Sequence, residues 1–291
     1  MATGCRQLLG LSDLTPDGGQ IIIDATDAQA FDDAPDAEIP LGPWGNPVRL
    51  FPTSTTADDD PSFTDDLLEL YFNRNNNIYV AKRATTADAW GTPALVLELS
   101  GGGGAETTPA ISGNGLSIYF ASNRGGGTGG FDVMMSTRAT RQALWSPPTY
   151  VTELESANAD TGARPTADDA ELVMDSNRVG GNDDLYLCVR QGLVWSAPAV
   201  ATVLSSPSLE LSAMMPGNAL SIYFESDRDG SRDLFTSTRP DRASSFVAPT
   251  KITELSTALF QEEDPWVSAD GRTMMYVTNK DGPQQIYQVT R

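Results

Sequence analysis

The sequence predicts an all-β fold: a five-bladed β-propeller of four-stranded blades, the last blade completed by a strand from before the first. Three recurring markers predict it. An aromatic residue followed three positions later by proline occurs as Trp44/Pro47, Trp90/Pro93, Trp145/Pro148, Trp195/Pro198 and Phe246/Pro249, with steps of 46, 55, 50 and 51 residues between the aromatics. A basic residue after Asn or Asp falls at Arg74, Arg124, Arg178, Arg228 and Lys280, in steps of 50, 54, 50 and 52. Pro61, Pro109, Pro165 and Pro265 each open a short run ahead of an apolar segment, with Ala213 filling the fourth slot. Units of this length, read as four short strands each, are the signature of propeller blades.

Within a unit the first strand follows the proline, as in Pro265-Trp266-Val267-Ser268, and ends in a turn such as Ala269-Asp270-Gly271-Arg272. Glycine there supplies the positive φ of a tight turn. The second strand is rich in apolar and aromatic residues, as in Leu116 to Ala121 and Leu220 to Glu225, and reads as buried. A polar hairpin such as Ser122-Asn123-Arg124-Gly125 leads to the third strand at Phe131 to Ser136, Leu185 to Val189 or Leu234 to Thr238. The fourth begins at the Trp. No long stretch shows helical periodicity.

The order of the markers sets the closure. The repeat region starts on a fourth-strand motif, Trp44 to Leu50, and finishes on a third-strand motif, Gln285 to Thr290, so residues 44–52 are expected to lie beside the latter and seal the ring. Blades are expected at 58–99, 106–154, 160–204, 210–255, and 262–291 completed by 44–52. The alternative is six blades, with an incomplete one built from Gln20 to Thr26.

Composition narrows the function. The 291 residues carry a formal net charge of −20 and no histidine. Nucleic acid and anionic membrane surfaces are therefore disfavoured partners. Serine–histidine and cysteine–histidine nucleophile systems are excluded, as is the commonest transition-metal ligand. Residues 1–43 hold one base, Arg6, against eight acids, and read as an acidic N-terminal tether before a single propeller domain at 44–291. Ala2-Thr3-Gly4-Cys5 resembles the end of a bacterial lipoprotein signal without its preceding apolar run, making Cys5 a candidate lipid-attachment site and a lipid anchor the expected route to a membrane. Cys188, in the apolar stretch Leu185 to Val189, reads as a buried strand residue rather than a reactive thiol.

Gly115-Leu116-Ser117-Ile118-Tyr119-Phe120-Ala121-Ser122-Asn123-Arg124-Gly125-Gly126, Phe131-Asp132-Val133 and Glu263-Asp264-Pro265-Trp266-Val267-Ser268-Ala269-Asp270-Gly271 resemble the WD-like repeats of TolB-type propellers. The likeness covers about 85% of the chain. It departs at the shortened hairpin Asn73-Arg74-Asn75-Asn76-Asn77, at Val173-Met174 in place of Tyr-Phe, and in blade number, six being usual for TolB. What the resemblance implies is a binding scaffold of the bacterial envelope, periplasmic or at the outer surface.

The candidate site residues are acids ahead of the first strands. Asp58 leads the run Asp58-Asp59-Asp60 before Pro61, Glu106 precedes Pro109, Glu210 precedes Ala213, and Glu262 leads Glu262-Glu263-Asp264 before Pro265. Innermost strands should gather these carboxylates at one channel mouth. Blade three departs, with Gly162 at the matching position and Arg164 directly before Pro165. Trp266 stands in a slot filled elsewhere by Ser62, Ala110, Thr166 and Met214, and should plug the channel or wall a ligand site. The repeated Trp residues should cover the apolar edge of their own blades. The hairpin Asp227 to Asp233 resembles the opening of a calcium loop, yet its copies keep the base and lose the acids. There a structural role is expected, with Asp or Asn accepting turn amides and Arg pairing with an acid. No cofactor or metal is expected; an ion suited to these oxygen ligands would be Ca2+ or Mg2+ rather than a transition metal.

The functional expectation is a non-catalytic scaffold binding protein, peptide or glycan at an acidic channel mouth. The alternative is a carbohydrate-active hydrolase of the five-bladed glycosidase type, using Glu106, Glu210 and Glu262, with a carboxylate pair at a set separation.

Overall fold

In the computed structural model, residues 41–291 are described; Cys5, the stretch Gln20 to Thr26 and nearly all of the acidic N-terminal segment lie outside them. The described residues form 21 strands and no helix, in five antiparallel sheets. Strand β1 (Val48–Arg49) comes first in the chain and belongs to the last sheet. Blade one is β2 (Asp59–Phe63), β3 (Glu69–Arg74), β4 (Asn77–Lys82) and β5 (Ala94–Leu95). Blade two is β6 (Glu106–Ile111), β7 (Ser117–Ser122), β8 (Asp132–Thr137) and β9 (Thr149–Tyr150). Blade three comprises β10 (Asp160–Pro165), β11 (Glu171–Ser176), β12 (Asp184–Gln191) and β14 (Ala199–Val200), with an extra hairpin strand β13 (Val194–Trp195) on the extended β12. Blade four is β15 (Glu210–Met214), β16 (Ser221–Ser226), β17 (Asp233–Thr238) and β18 (Thr250–Lys251). Blade five is β19 (Glu262–Val267), β20 (Thr273–Thr278) and β21 (Gln285–Thr290), completed by β1.

Closure follows the expected route. Val48 pairs with Gln288 and Arg49 with Tyr287, flanked by Gly45 N–H to Thr290 O and Leu50 N–H to Ile286 O, each 2.9 Å. Each outer strand is two residues long and starts directly after the repeated proline, whose missing donor is tolerated on an edge.

The middle strands are buried on both faces because each blade is sandwiched between neighbours. One core cluster joins Tyr71 and Ile78 of blade one to Ile118, Phe120 and Trp145 of blade two, and the other four straddle the remaining seams alike. The repeated aromatics reach beyond the place expected. Trp90 packs edge-on to Phe63 of its own blade at 5.7 Å, but Trp145 lies edge-on to Tyr71 of the preceding blade at 6.0 Å, and Trp195 Nε1 donates to the Tyr119 hydroxyl of the preceding blade at 3.4 Å. An arginine at the end of each third strand caps the ring from outside. Arg83 over Trp90, Arg138 over Trp145, Arg190 over Trp195, Arg239 over Phe246 and Arg291 over Trp44 stand 3.7–4.7 Å from the ring centres. The last of these five cation–π stacks crosses the closure seam.

Candidate functional site

Three layers of side chains follow one another along the inner strands. The first holds the sequence-predicted acids. Asp58, Glu106 and Glu210 are fully buried and committed to the hairpin arginines: Arg74 grips Asp58 with Nε and Nη2 at 2.6 and 2.9 Å, while Arg124 and Arg228 reach Glu106 and Glu210 at 2.9 Å. Blade three has the same pair in Asp160 and Arg178, 2.6 Å apart. Its proline is displaced by two positions, so Asp160, not Gly162, is the matching residue and the acid pattern is unbroken. Serines of the second strands, Ser122, Ser176 and Ser226, donate to the same carboxylates. Glu262 lacks an arginine because Lys280 covers the Tyr287 ring instead, and it accepts from Thr257 N–H at 3.0 Å and Oγ1 at 2.8 Å. Burial raises the Glu106 and Glu262 carboxyls. The hairpin Asp and Asn residues accept amides of the preceding connector: Ala105 to Asn123, Ala159 to Asn177, Leu209 to Asp227 and Gln261 to Asn279.

The second layer was not isolated by sequence reasoning. Every inner strand carries a β-bulge against its neighbour, and at each bulge one residue has positive φ: Asp60, Thr108, Gly162, Ser212 and Asp264. Their amides form a circle of hydrogen bonds. Asp60 donates to Asp264 Oδ2 (3.4 Å), Thr108 to Asp60 Oδ2 (3.0 Å) and Gly162 to Thr108 Oγ1 (3.2 Å). Ser212 donates to Asp175 Oδ1 (3.1 Å), and Asp264 to Glu225 Oε2 (2.9 Å). Asp175 does for blade three what Gly162 cannot: a Cβ on Gly162 would overlap its carboxylate. Ser212 Oγ also donates to Asp264 Oδ1 at 2.6 Å.

Carboxyls this crowded and dry favour the neutral form. Burial and then Asp264 push Asp59 and Asp60 well above the carboxylate range; Glu225 rises for the same two reasons, and burial takes Asp175 up to about 6. Arg232 faces Glu263 at 2.9 Å and Glu225 at 3.4 Å. Among the described residues no group of three or more His, Cys, Asp or Glu side chains is arranged to hold a metal ion. In the calcium-like hairpin, Asp227 and Asp233 are taken by Leu209 N–H and by Lys251 at 2.6 Å. Burial pushes the Cys188 thiol up to about 12, which suits a core residue.

The third layer lies two residues beyond the bulge and consists of Ser62, Ala110, Arg164, Met214 and Trp266, paired respectively with Tyr71, Tyr119, Val173, Tyr223 and Met275. The displaced proline had hidden Arg164 as the counterpart of Trp266, a place that belonged on sequence to Thr166. All five line a cavity of about 810 Å3 on the face where inner strands end. Small residues form one side and large ones the other. Trp266 is a wall of this cavity, packed at 4.9 Å on Phe63. Arg164 is 5% exposed; its Nη1 donates to Pro265 O at 3.4 Å, while Nε and Nη2 have no partner. Burial lowers the guanidinium against the opposing pull of Asp60 and Asp264. Of the six sequence candidates, Arg164 and Trp266 meet in the cavity, whereas Asp58, Glu106, Glu210 and Glu262 do not line it.

No family model matches the sequence, and no curated protein matches it. Solved structures share its fold. A TolB from Agrobacterium tumefaciens aligns over 77% of this chain and 71% of its own at 15% identity, TM-score 0.51. What this chain shares with it is the β-propeller fold. An endo-arabinase from Bacteroides thetaiotaomicron aligns over 84% and 97% at 13% identity, TM-score 0.60, and a GH62 hydrolase in complex with xylotriose over 86% and 97% at 10% identity, TM-score 0.57. Identities this low establish a shared fold and leave activity to the side chains.

Proposed function

We propose that this TolB-like propeller is a non-catalytic binding module of the bacterial envelope that takes a peptide or glycan in the cavity walled by Trp266 and floored by Arg164. The observation that carries this reading is the breakdown of fivefold repetition in a single layer. The acid layer and the bulge circle repeat because they hold the ring together, but the layer of Ser62, Ala110, Arg164, Met214 and Trp266 does not, and it alone faces open space. Departure from a structural repeat at a concave, part-aromatic surface supports ligand recognition.

A hydrolase would need two carboxylates open to substrate at a defined separation. The acids lining the cavity are Asp65, Glu153, Asp168 and Asp169. Asp168 is held by Arg242 at 2.7 Å, Asp169 by Arg190, and Glu153 accepts the Trp195 amide at 3.1 Å. Asp60 and Asp264 are engaged in the amide circle beneath. This distribution favours binding over bond cleavage. The envelope location, periplasm or outer surface, rests on the repeat resemblance and on Ala2-Thr3-Gly4-Cys5. Intact mass of membrane-extracted protein tests lipidation of Cys5.

The function is tested by incubating the protein with oligosaccharides and short peptides, following thermal stabilisation and analysing the recovered compound. Stabilisation that shrinks in Trp266→Leu, with compound recovered intact, is expected. Cleaved oligosaccharide would overturn the non-catalytic reading.

A further inference from the structure

Resting on the binding reading, we propose that the cavity anchors a single carboxylate at Arg164, so that the ligand is a saccharide or short peptide ending in a free acid. Its position is one that the repeat fills with Ser62, Ala110, Met214 and Trp266, so blade packing asks for no charge there. Nε and Nη2, its unpartnered atoms, share one edge of the guanidinium plane. That edge is the one Arg74 uses to hold both oxygens of Asp58 at 2.6 and 2.9 Å, so the protein itself displays the match between this fork and a planar carboxylate.

The nearby acids do not take the fork. Asp60, Asp264, Asp175 and Glu225 are each within electrostatic reach of Arg164, but each is tied to a backbone amide of the bulge circle. Burial and crowding push the Asp60 and Glu225 carboxyls toward the neutral form, which weakens their hold on the Arg164 charge. A buried guanidinium with an idle edge is costly to a fold, and the other four inner-layer positions show how easily it is avoided. The acids lining the cavity, Asp65, Asp168 and Asp169 among them, restrict the ligand further. A polyanion would be repelled at the entrance, whereas one terminal carboxylate on an otherwise neutral chain can reach the floor with Trp266 alongside it.

Calorimetric titration of the full chain with paired probes tests this: a short neutral peptide with a free C-terminus against its C-terminal amide, and a disaccharide ending in glucuronate against its methyl ester. The expected result is that one free acid binds about 10–100-fold more tightly than its neutral partner, and the pair showing the preference identifies the source of the carboxylate. Arg164→Met should abolish the preference without lowering the melting temperature, and Arg164→Lys should keep part of it, because an ammonium supplies charge without the fork. Equal affinity for acid and neutral forms overturns the carboxylate anchor and leaves the cavity a binding site. Failure of every probe to bind at millimolar concentration overturns both readings. A preference that survives in Arg164→Met, or a melting temperature that drops in it while probe affinity holds, also overturns the assignment.

Discussion

Gly162 is the position where the amide circle is most exposed to a single added atom. Replacing it with alanine forces an L residue into φ near +59°, at about 1–2 kcal/mol. The new Cβ also overlaps Asp175 Oδ1, so that carboxylate must move away from the buried Ser212 amide. A buried donor left without its acceptor costs about 1–3 kcal/mol, which brings the expected loss to about 2–5 kcal/mol. For a domain of this size that lowers Tm by roughly 5–15 °C. The control is Gly180→Ala, where φ is +78° and nothing lies within 4 Å, so only the backbone cost applies. Urea and thermal unfolding of both variants measure the difference. If Gly162→Ala loses no more stability than Gly180→Ala, Asp175 does not substitute for a missing side chain and the circle is not a structural device.

Three further outcomes are expected. Glu210→Gln breaks the buried pair with Arg228 and should cost about 3–5 kcal/mol in denaturant unfolding while ligand affinity is retained; lost affinity at unchanged stability would return Glu210 to the binding site. Asp175, raised from 3.8 to about 6 in the folded state, binds its proton more tightly there than in the unfolded chain, so its contribution is full below pH 3.8 and is lost as pH rises toward 6. Stability of wild type relative to Asp175→Asn should accordingly fall across that window, and a parallel pair of pH profiles would refute the shift. Arg291→Ala removes the stack over Trp44 and should cost about 1 kcal/mol, read as a lower denaturation midpoint; an unmoved midpoint means the stack adds nothing to closure.

The blade plan was legible because it is written in repeated marks of period near 50, and strand burial follows from apolar runs that a sandwiched sheet requires. The closing strand could be read from the order of those marks alone. The cavity layer was harder to read for a specific reason: Pro165 stands two residues later in its strand than Pro61, Pro109 and Pro265 do in theirs, so aligning it with them put Arg164 in the wrong slot and concealed Asp160. In the triplets Asp58-Asp59-Asp60 and Glu262-Glu263-Asp264 the acids were visible, but positive φ at the third member turns it to the axis while the first turns away, Asp58 to the hairpin Arg74 and Glu262 to Thr257. Sequence spacing carries no sign of that rotation. Asp175 and Glu225 sit on second strands, inside runs that read as core, and only the coordinates bring them to the bulges. The stacked arginines did have a signal, a base seven residues before Trp90, Trp145 and Phe246.

The two-residue strand β1 has a consequence for biogenesis. Its partner β21 is the last strand of the ring to leave the ribosome, so four blades can be finished while the circle still gapes between the first and the fourth. Throughout synthesis of β19 to β21, the side of blade one that will meet Trp266 and Met275 is bare apolar surface. A nascent chain stalled in that stretch should be the species most prone to protease attack or to sticking to its neighbours.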